Sequence, residues 1–187
     1  SLQAGGVKGE VTTLAGSTSG DADGSGISAR FMTLFGLTVD SFGNVYVADT
    51  NSHKIKKISP TGIVTTLAGS SEGYADGSGT NAKFFSPFSV AVDGLGNVYV
   101  ADSGSHKIRK ISPEGVVTTL AGSANGYADG AGTNAKFYVP SGVAVDGLGN
   151  VYVADTYNHK IRKISPEGVV TTLAGSTDGS GSAAQFN

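Results

Sequence analysis

The amino-acid sequence predicts an all-β fold built from small, repeated antiparallel sheets. The chain of 187 residues contains 29 glycines, one methionine and no tryptophan, a composition that suits short strands joined by frequent turns. The hexapeptide Val-Thr-Thr-Leu-Ala-Gly begins at Val11, Val64, Val117 and Val170, always 53 residues apart. A period this strict indicates a repeat architecture in which each copy is one structural unit.

Four strands are predicted in each copy. In the copy that covers residues 64–116 we name them a, b, c and d, and they lie at Ser89–Asp93, Val98–Asp102, Lys107–Ser112 and Val116–Ala121. Short glycine-containing turns join a to b and c to d, as hairpins between antiparallel neighbours require. Strands a and b are apolar on both faces, whereas c carries charges and d carries hydroxyls. This gradient is typical of a β-propeller blade, whose first strand lies at the centre of a ring and whose last lies at the rim.

The repeats predict one propeller segment over residues 1–187, with copies at 11–63, 64–116 and 117–169 and a partial copy at 170–187. In blades, this gives an orphan N-terminal strand d over Val7–Ala15, three complete four-stranded antiparallel blades, and a tail from Gly175. Propellers have about four to eight blades, so three do not close a ring. We expect either that a second copy completes a ring of about six blades through the terminal blade faces, or that further blades of a longer chain do so.

Composition and charge exclude several classes of site and partner. The absence of cysteine excludes disulfides, iron–sulfur clusters and thiolate zinc sites. Thirteen basic and fifteen acidic residues give a net charge of −2, which is not the basic surface that a phosphate backbone requires, so nucleic acid is not an expected partner. No apolar run is long enough to span a membrane, and Ser1–Glu10 lacks the apolar core of a signal peptide.

The third copy resembles the NHL repeat. The segments that carry this resemblance are Gly142–Asp146, Gly149–Thr156 and Asn158–Ile164, and Gly126–Gly130 resembles the longer blade linker of bacterial NHL proteins. The resemblance implies a six-bladed propeller used for recognition of proteins, peptides, glycans or RNA, and less often for catalysis. The first copy departs from the pattern at Leu34, where the other copies have proline, and at Asp21, where they have tyrosine.

Two motifs have both a chemical and a structural interpretation. Asp102 with His106 could form an acid–base pair or a metal ligand set, but the same pair recurs in every copy, which favours a hydrogen-bonding strut at the b–c corner. The linkers Asp76–Asn81 and Asp21–Gly26 place oxygen ligands close together, as a calcium loop does. They lack the spacing of an EF-hand, and a tight turn capped by a side chain explains them equally. We therefore assign no metal, no cofactor and no catalytic residue.

Basic residues recur along strand c of every copy, at Lys54, Lys56, Lys57, Lys107, Arg109, Lys110, Lys160, Arg162 and Lys163. Acidic residues of the same blade, Asp93, Asp102 and Glu114 in copy two, offset them. The sequence therefore predicts a solvated, self-neutralised strand, and the alternative is a groove for RNA or an acidic glycan.

The second and third copies differ mainly in the d–a linker, the start of strand a and the b–c turn, all of which emerge on one face of the ring. Variable loops on a rigid scaffold favour recognition. The candidate ligand-binding residues are Phe35, Asn51, Phe85, Phe88, Tyr138, Ser141, Tyr157 and Asn158; Phe35 and Phe88 could instead fill the central channel.

We expect a non-catalytic scaffold for recognition or assembly, with a protein or glycan ligand, in a secreted, periplasmic or cell-surface protein. The alternatives are a lyase- or lactonase-type propeller enzyme and a structural spacer of a larger surface protein. The enzyme would need an acid or histidine unique to one blade near the axis, whereas strand a offers only the repeated Asp40, Asp93 and Asp146.

Overall fold

The computed structural model describes residues 9–175, which form three antiparallel sheets, one for each repeat. Blade 1 comprises β1 (Gly24–Ser25), β2 (Leu34–Val39), β3 (Val45–Asp49), β4 (Lys54–Ile58) and β5 (Ile63–Ala68). Blade 2 comprises β6 (Gly77–Ser78), β7 (Pro87–Val92), β8 (Val98–Asp102), β9 (Lys107–Ile111) and β10 (Val116–Ala121). Blade 3 comprises β11 (Gly130–Ala131), β12 (Pro140–Val145), β13 (Val151–Asp155), β14 (Lys160–Ile164) and β15 (Val169–Ala174).

Short 3₁₀ turns complete the secondary structure of the described residues. They lie at Gly26–Ser28, Thr50–Ser52, Gly79–Asn81, Ser103–Ser105, Gly132–Asn134 and Thr156–Asn158. In residues 9–175 no helix has the length and apolarity needed to cross a membrane.

The predicted meander of strands a to d is confirmed in every blade, and each blade gains a fifth, two-residue strand. In blade 2 the order is β6-β10-β9-β8-β7, so the linker that precedes strand a first pairs with the outer edge of strand d. Gly77 lies opposite Val117 and Ser78 opposite Val116. This pairing occupies part of the exposed edge of the blade, and the linker then crosses from the rim to the centre.

The predicted strand d at Val7–Ala15 does not form over its described part, because residues 9–15 contain no strand. The side chain of Val11 is 94% exposed. A strand needs a hydrogen-bonded neighbour, and no described strand pairs with this segment, although Ala15 packs against blade 1. Residues 7 and 8, and the tail 176–187, lie outside the described residues.

Neighbouring blades pack face to face, and each blade has two unlike faces. We call the face toward the following blade the outgoing face and the face toward the preceding blade the incoming face. Between blades 1 and 2, the outgoing Tyr46, Ala48, Ile55 and Ala68 pack on the incoming Ala82, Phe84, Val90, Val98, Val100, Ile111 and Val117. The corresponding residues pack between blades 2 and 3. We call each of these two contacts a seam.

The innermost strands approach each other closely, as expected near the axis of a propeller. A β-carbon on Gly36 would lie 2.6 Å from the Cα of Ser89, so only glycine fits at this point of β2. On the other side of β7, the Val143 N–H donates to Ser89 Oγ at 3.2 Å. Strands β2, β7 and β12 therefore line up side by side, with the hydrophobic clusters outside them.

Candidate functional site

The b–c turns, the ends of the d–a linkers and the starts of strand a emerge at one end of the blades, which we call the loop face. The a–b and c–d turns emerge at the other end, the turn face. This arrangement follows from the antiparallel register: in blade 3, Pro140 at the start of β12 lies opposite Asp155 at the end of β13.

The structure brings most of the predicted ligand-binding residues together on the loop face, in two aromatic groups. Phe35 of blade 1 stacks on Phe88 of blade 2 with 4.0 Å between ring centroids. In blade 3 the rings of Tyr138 and Tyr157 lie 5.2 Å apart. Phe85 stands edge-on to His53 in a third, smaller contact. Phe35 remains 51% exposed and Tyr157 59% exposed, so both groups are accessible to a partner.

The polar candidates are already engaged within the protein. The Asn51 side-chain amide donates to Thr33 Oγ1 at 2.9 Å, and the hydroxyls of Ser141 and Thr156 hydrogen-bond to each other. The Asn158 amide donates to the Gly126 carbonyl and to Asp155 Oδ2, both at 2.8 Å. Asn158 therefore holds the linker of its own blade, whereas Asn51 is exposed although its amide is engaged.

The repeated histidines accept hydrogen bonds across the seams. His53 Nδ1 accepts the Ser86 N–H, and His106 Nδ1 accepts the Val139 N–H, both at 3.2 Å. The interpretation of a hydrogen-bonding strut is thereby confirmed for His53 and His106, but these two histidines join neighbouring blades and not strands of one blade. Burial, followed by the charge of Lys107, lowers the pKa of His106. A lower pKa favours the neutral imidazole, whose Nδ1 can accept a hydrogen bond.

The aspartates at the end of strand b lie beneath the loop face and accept hydrogen bonds from its backbone and side chains. Asp102 is fully buried, and its Oδ1 accepts the Phe85 N–H at 2.8 Å. Its Oδ2 accepts from Ser105 Oγ and, at 3.0 Å, from Arg109 Nη1. Burial raises the pKa of Asp102, and these donors oppose the rise. Asp102 and His106 thus each bond to other groups of the protein.

The prediction of a solvated basic stripe on strand c is wrong at its central position and, in blade 2, also at Lys107, which is 7% exposed. Lys56, Arg109 and Arg162 are fully buried. Arg109 Nη2 contacts Asp76 Oδ1 at 2.7 Å, while its Nη1 contacts Asp102, so the predicted neutralisation within the blade is confirmed for Asp102. The cation is buried because the linker crosses the blade over strand c, which a strand pattern alone does not reveal.

The linker aspartate is the second partner of this cation. Asp76 also accepts the Thr119 N–H at 3.2 Å and the Thr119 hydroxyl at 3.1 Å. Its oxygens are thereby occupied by protein donors, which supports the capping interpretation over calcium. Within the described residues, no group of three or more histidine, aspartate and glutamate side chains could hold a metal ion. The ion pairs Asp23–Lys56, Asp76–Arg109 and Asp129–Arg162 each link residues 33 positions apart. This constant spacing of opposite charges is the feature of the sequence that could have predicted these pairs.

The strand a aspartates cap the a–b turns. Asp93 Oδ1 accepts the N–H groups of Leu95 and Asn97, and its Oδ2 accepts from the Asn97 amide and the Tyr99 hydroxyl. Burial together with this carboxylate raises the pKa of Tyr99 to about 12. In blade 3, the hydrogen bond from Asn150 is the main reason that the pKa of Asp146 falls to about 2. A carboxylate with so low a pKa is a poor general base at neutral pH.

A groove that the sequence did not predict lies on the turn face between blades 2 and 3. Its volume is about 600 Å³, and its walls include Leu95, Leu148, Tyr99 and Lys110. Leu95 is 81% exposed and Leu148 82% exposed, at equivalent turn positions. Phe42, 82% exposed, occupies the same position in blade 1. The apolar residue at each a–b turn was visible in the sequence, but its exposure was not.

Comparison with known proteins points to one type of repeat. Residues 86–111 and 137–164 match the family profile described as the NHL repeat. NHL repeat-containing protein 2 of Gallus gallus is 42% identical over 162 residues, which cover 78% of this chain and 22% of the relative. The Homo sapiens protein of the same name is 35% identical over 156 residues, covering 74% of this chain and 22% of the relative. The chain thus spans less than a quarter of each of these relatives.

Solved structures agree with the sequence comparison. An auxiliary nutrient binding protein from Bacteroides ovatus superposes with a TM-score of 0.63 at 26% identity, over 79% of this chain and 39% of that one. The three blades therefore correspond to a little over a third of that chain, which has 39% of its length matched.

Proposed function

The chain belongs to the NHL-repeat family, and from the geometry of its loop face we propose that it is a non-catalytic scaffold for recognition and assembly. The observation that carries this proposal is the pair of exposed aromatic groups, Phe35 with Phe88 and Tyr138 with Tyr157. They lie on a rigid framework, and they differ from blade to blade, so the face is chemically uneven. An uneven face selects a specific, asymmetric partner.

The ligand that suits this surface is a protein segment or a glycan. Aromatic rings offer flat apolar area at low cost in side-chain entropy, and they are enriched at binding hot spots. The auxiliary nutrient binding protein from Bacteroides ovatus, with the same type of fold, supports a binding role. We propose a secreted, periplasmic or cell-surface location on the same ground.

A lyase- or lactonase-type activity is less well supported. Among residues 9–175, the acids of strands a and b and His53 and His106 each bond to structural partners that recur from blade to blade. A catalytic site needs one asymmetric constellation of groups with free reactive atoms.

The assembly role rests on the end blades. The incoming face of blade 1 carries Leu37 with 67% of its side chain exposed, whereas Val90 at the same position of blade 2 is 4% exposed. We propose that such a face is covered in use, either by a further blade of a longer chain or by self-association. The cost of leaving apolar surface in water favours both.

Recognition by the loop face is tested with defined probes. A displayed library of random peptides and a glycan array are screened against the wild-type chain, and the dissociation constants of the selected ligands are measured. We expect Tyr138→Ala with Tyr157→Ala to weaken binding at least tenfold, as loss of aromatic anchors does. The matched control changes Leu95 and Leu148 on the turn face to alanine. Loss of binding in this control alone, with the tyrosine variant unaffected and folded, would show that the groove of the turn face is the site.

A further inference from the structure

The buried cation of strand c has a complete set of partners in blades 2 and 3. In blade 2, Arg109 Nη1 lies 3.0 Å from Asp102 Oδ2 and 3.1 Å from the Lys83 carbonyl oxygen. Its Nη2 lies 2.9 Å from the Ala75 carbonyl oxygen and 2.7 Å from Asp76 Oδ1. The equivalent arginine of blade 3 makes the same four contacts. Each guanidinium thus joins two carboxylates and two carbonyl groups, and all four oxygens receive a donor.

In blade 1 the equivalent cation, Lys56, makes only part of this set. Its Nζ contacts Asp23 Oδ1 at 2.9 Å and Asp21 Oδ1 at 3.0 Å, so it takes the place of the arginine nitrogen nearer the linker. The oxygens equivalent to those around the other nitrogen are Asp49 Oδ2 and the Arg30 carbonyl oxygen, and Lys56 donates to neither of them. We call these two oxygens the blade 1 cradle.

Asp49 Oδ2 is the charged member of the cradle. Asp49 has no exposed surface, and within residues 9–175 its Oδ2 has no hydrogen-bond donor. Its Oδ1 accepts the N–H groups of Met32 and Thr33. The Ser52 hydroxyl donates to the Asp49 carbonyl oxygen, whereas the equivalent serine of blade 2 also donates to the aspartate side chain. A buried carboxylate oxygen without a donor is costly, so Asp49 Oδ2 requires a positively charged or hydrogen-bonding partner.

The charges around the cradle do not balance. In blades 2 and 3, strand c contributes an arginine and a lysine, while the linker and strand b contribute one aspartate each. Blade 1 contributes Lys54 and Lys56 but three aspartates, Asp21, Asp23 and Asp49, because Asp21 stands where the other blades have tyrosine. The cluster of blade 1 therefore carries one negative charge in excess. A buried charge of this kind is normally paired with an ion of opposite sign.

The cradle belongs to a single repeat. The four groups that contact Arg109 in blade 2 all lie within residues 75–102, and those that contact the arginine of blade 3 lie within residues 128–155. Both sets therefore come from the blade that carries the cation, and the preceding blade contributes no hydrogen bond to either arginine. The blade 1 cradle is likewise formed by Arg30 and Asp49 of one repeat, so its composition does not depend on what adjoins blade 1.

We propose that the cradle binds one monovalent cation of the size of potassium, coordinated by Asp49 Oδ2 and the Arg30 carbonyl oxygen. In blades 2 and 3 the equivalent oxygens hold an arginine nitrogen at 2.6–3.1 Å. Potassium and ammonium are close in size to such a nitrogen group, whereas sodium is smaller, and carbonyl oxygens can replace the hydration shell of potassium. One positive charge balances the excess. A divalent ion would exceed it, and within residues 9–175 no three acidic side chains form a metal-binding group.

Thermal unfolding in different chloride salts at constant ionic strength tests this site. Potassium or ammonium should raise the Tm of the wild type above its value in tetramethylammonium, whose cation is too large for the cradle, and sodium should raise it less. At ten times the dissociation constant of potassium, the expected rise is about 3–6 °C. Lys56→Arg places a guanidinium nitrogen in the cradle and should remove the difference between salts. Lys57→Arg, on the other face of the same strand, is the matched control and should keep it.

Two results would overturn the cation site. The first is a wild-type Tm that is the same in potassium, sodium and tetramethylammonium. The second is a potassium effect that Lys56→Arg retains, since the ion would then bind at another place. Asp49→Asn should also abolish the effect by removing the charge, and Lys56→Arg decides the question where Asp49→Asn does not fold. Nuclear magnetic resonance of ¹⁵N-labelled ammonium gives a direct readout: the wild type should show a bound signal that potassium displaces and that Lys56→Arg lacks.

Discussion

Strand c of each blade carries a cation without access to solvent, and its identity differs between copies. In blades 2 and 3 an arginine bridges two carboxylates, those of the linker and of strand b. In blade 1, Lys56 contacts Asp21 and Asp23, and Asp49 Oδ2 is left buried without a hydrogen-bond partner. A single ammonium cannot span the two carboxylate positions that a planar guanidinium reaches.

Replacing Lys56 by arginine should therefore stabilise the protein. The new guanidinium is expected to donate to Asp49 Oδ2, as Arg109 does to Asp102 in blade 2. Satisfying a buried carboxylate oxygen contributes about 1–3 kcal/mol. We expect the lower end of this range, since Arg109 and Arg162 each leave Nε unpaired. Urea unfolding at fixed protein concentration measures the change, and Arg109→Lys should shift the midpoint in the opposite direction. A lower midpoint for Lys56→Arg would contradict this account of blade 1.

The histidine at the seam predicts a pH dependence of stability. The pKa of His106 lies below its ordinary value of 6.5 because burial, then Lys107, disfavour the imidazolium, while Asp155 opposes them. The unfolded chain thus binds this proton first as pH falls, so the contribution of His106 to the free energy of unfolding is complete above pH 6.5 and decreases below it. The raised pKa of Asp102 acts in the opposite direction. The carboxylates with lowered pKa, such as Asp129, lose their contribution only at lower pH, below about 3.8.

The measurement is urea unfolding between pH 7.5 and 5. His106→Gln, which can offer its carbonyl oxygen to the Val139 N–H, should flatten the dependence. His106→Ala should lower stability by about 1 kcal/mol through the lost hydrogen bond. If His106→Gln leaves the pH dependence unchanged, the dependence comes from other groups, such as Asp102 with its raised pKa, and the account of a neutral, accepting His106 is wrong.

At the scale of single elements, the linker is the part of the repeat whose role depends on contacts distant in sequence. Strands a to d were predictable to within two residues at each end, because apolar runs and glycine turns are local signals. The fifth strand was not predictable, because a strand of two residues shows no periodicity. In addition, its Gly77 pairs with Val117, forty positions away in the sequence. Burial of Arg109 depends on the same crossing linker, and the histidine contacts depend on a neighbouring blade.

Asp76 tests the structural role of the linker. Asp76→Asn should destabilise the protein by about 1–3 kcal/mol, because it weakens both the pairing of a buried arginine and the cap of Thr119. Half-exposure of Asp76 keeps the expected value below that of a fully buried pair. Glu72→Gln, an exposed carboxylate of the same linker, should change stability by less than about 0.5 kcal/mol. If calcium raised the melting temperature of the wild type but not of Asp76→Asn, the linker would be a cation site and not a cap.

At the scale of the whole molecule, identical sequences experience different environments because of their place along the row of blades. The segment Lys-Ile-Arg-Lys-Ile occurs in both β9 and β14. Ile108 in β9 is fully buried beneath blade 3, whereas Ile161 in β14 is half-buried. The candidate binding face also depends on this scale, since the stacking of Phe35 on Phe88 crosses two blades. Sequence alone identified these rings as variable residues but did not pair them.

The pair Ile108→Ala and Ile161→Ala measures how much stability the covering blade provides. Deleting a fully buried isoleucine side chain costs about 2–5 kcal/mol, so Ile108→Ala should lower the free energy of unfolding by that amount at any protein concentration. At low concentration, Ile161→Ala should cost markedly less, because its side chain already contacts water. If self-association covers the outgoing face of blade 3 as concentration rises, mass action should stabilise the wild type more than Ile161→Ala. The cost of Ile161→Ala should then approach that of Ile108→Ala. Thermal unfolding at several concentrations is the measurement, and a cost of Ile161→Ala that stays small and independent of concentration would mean that this face remains uncovered.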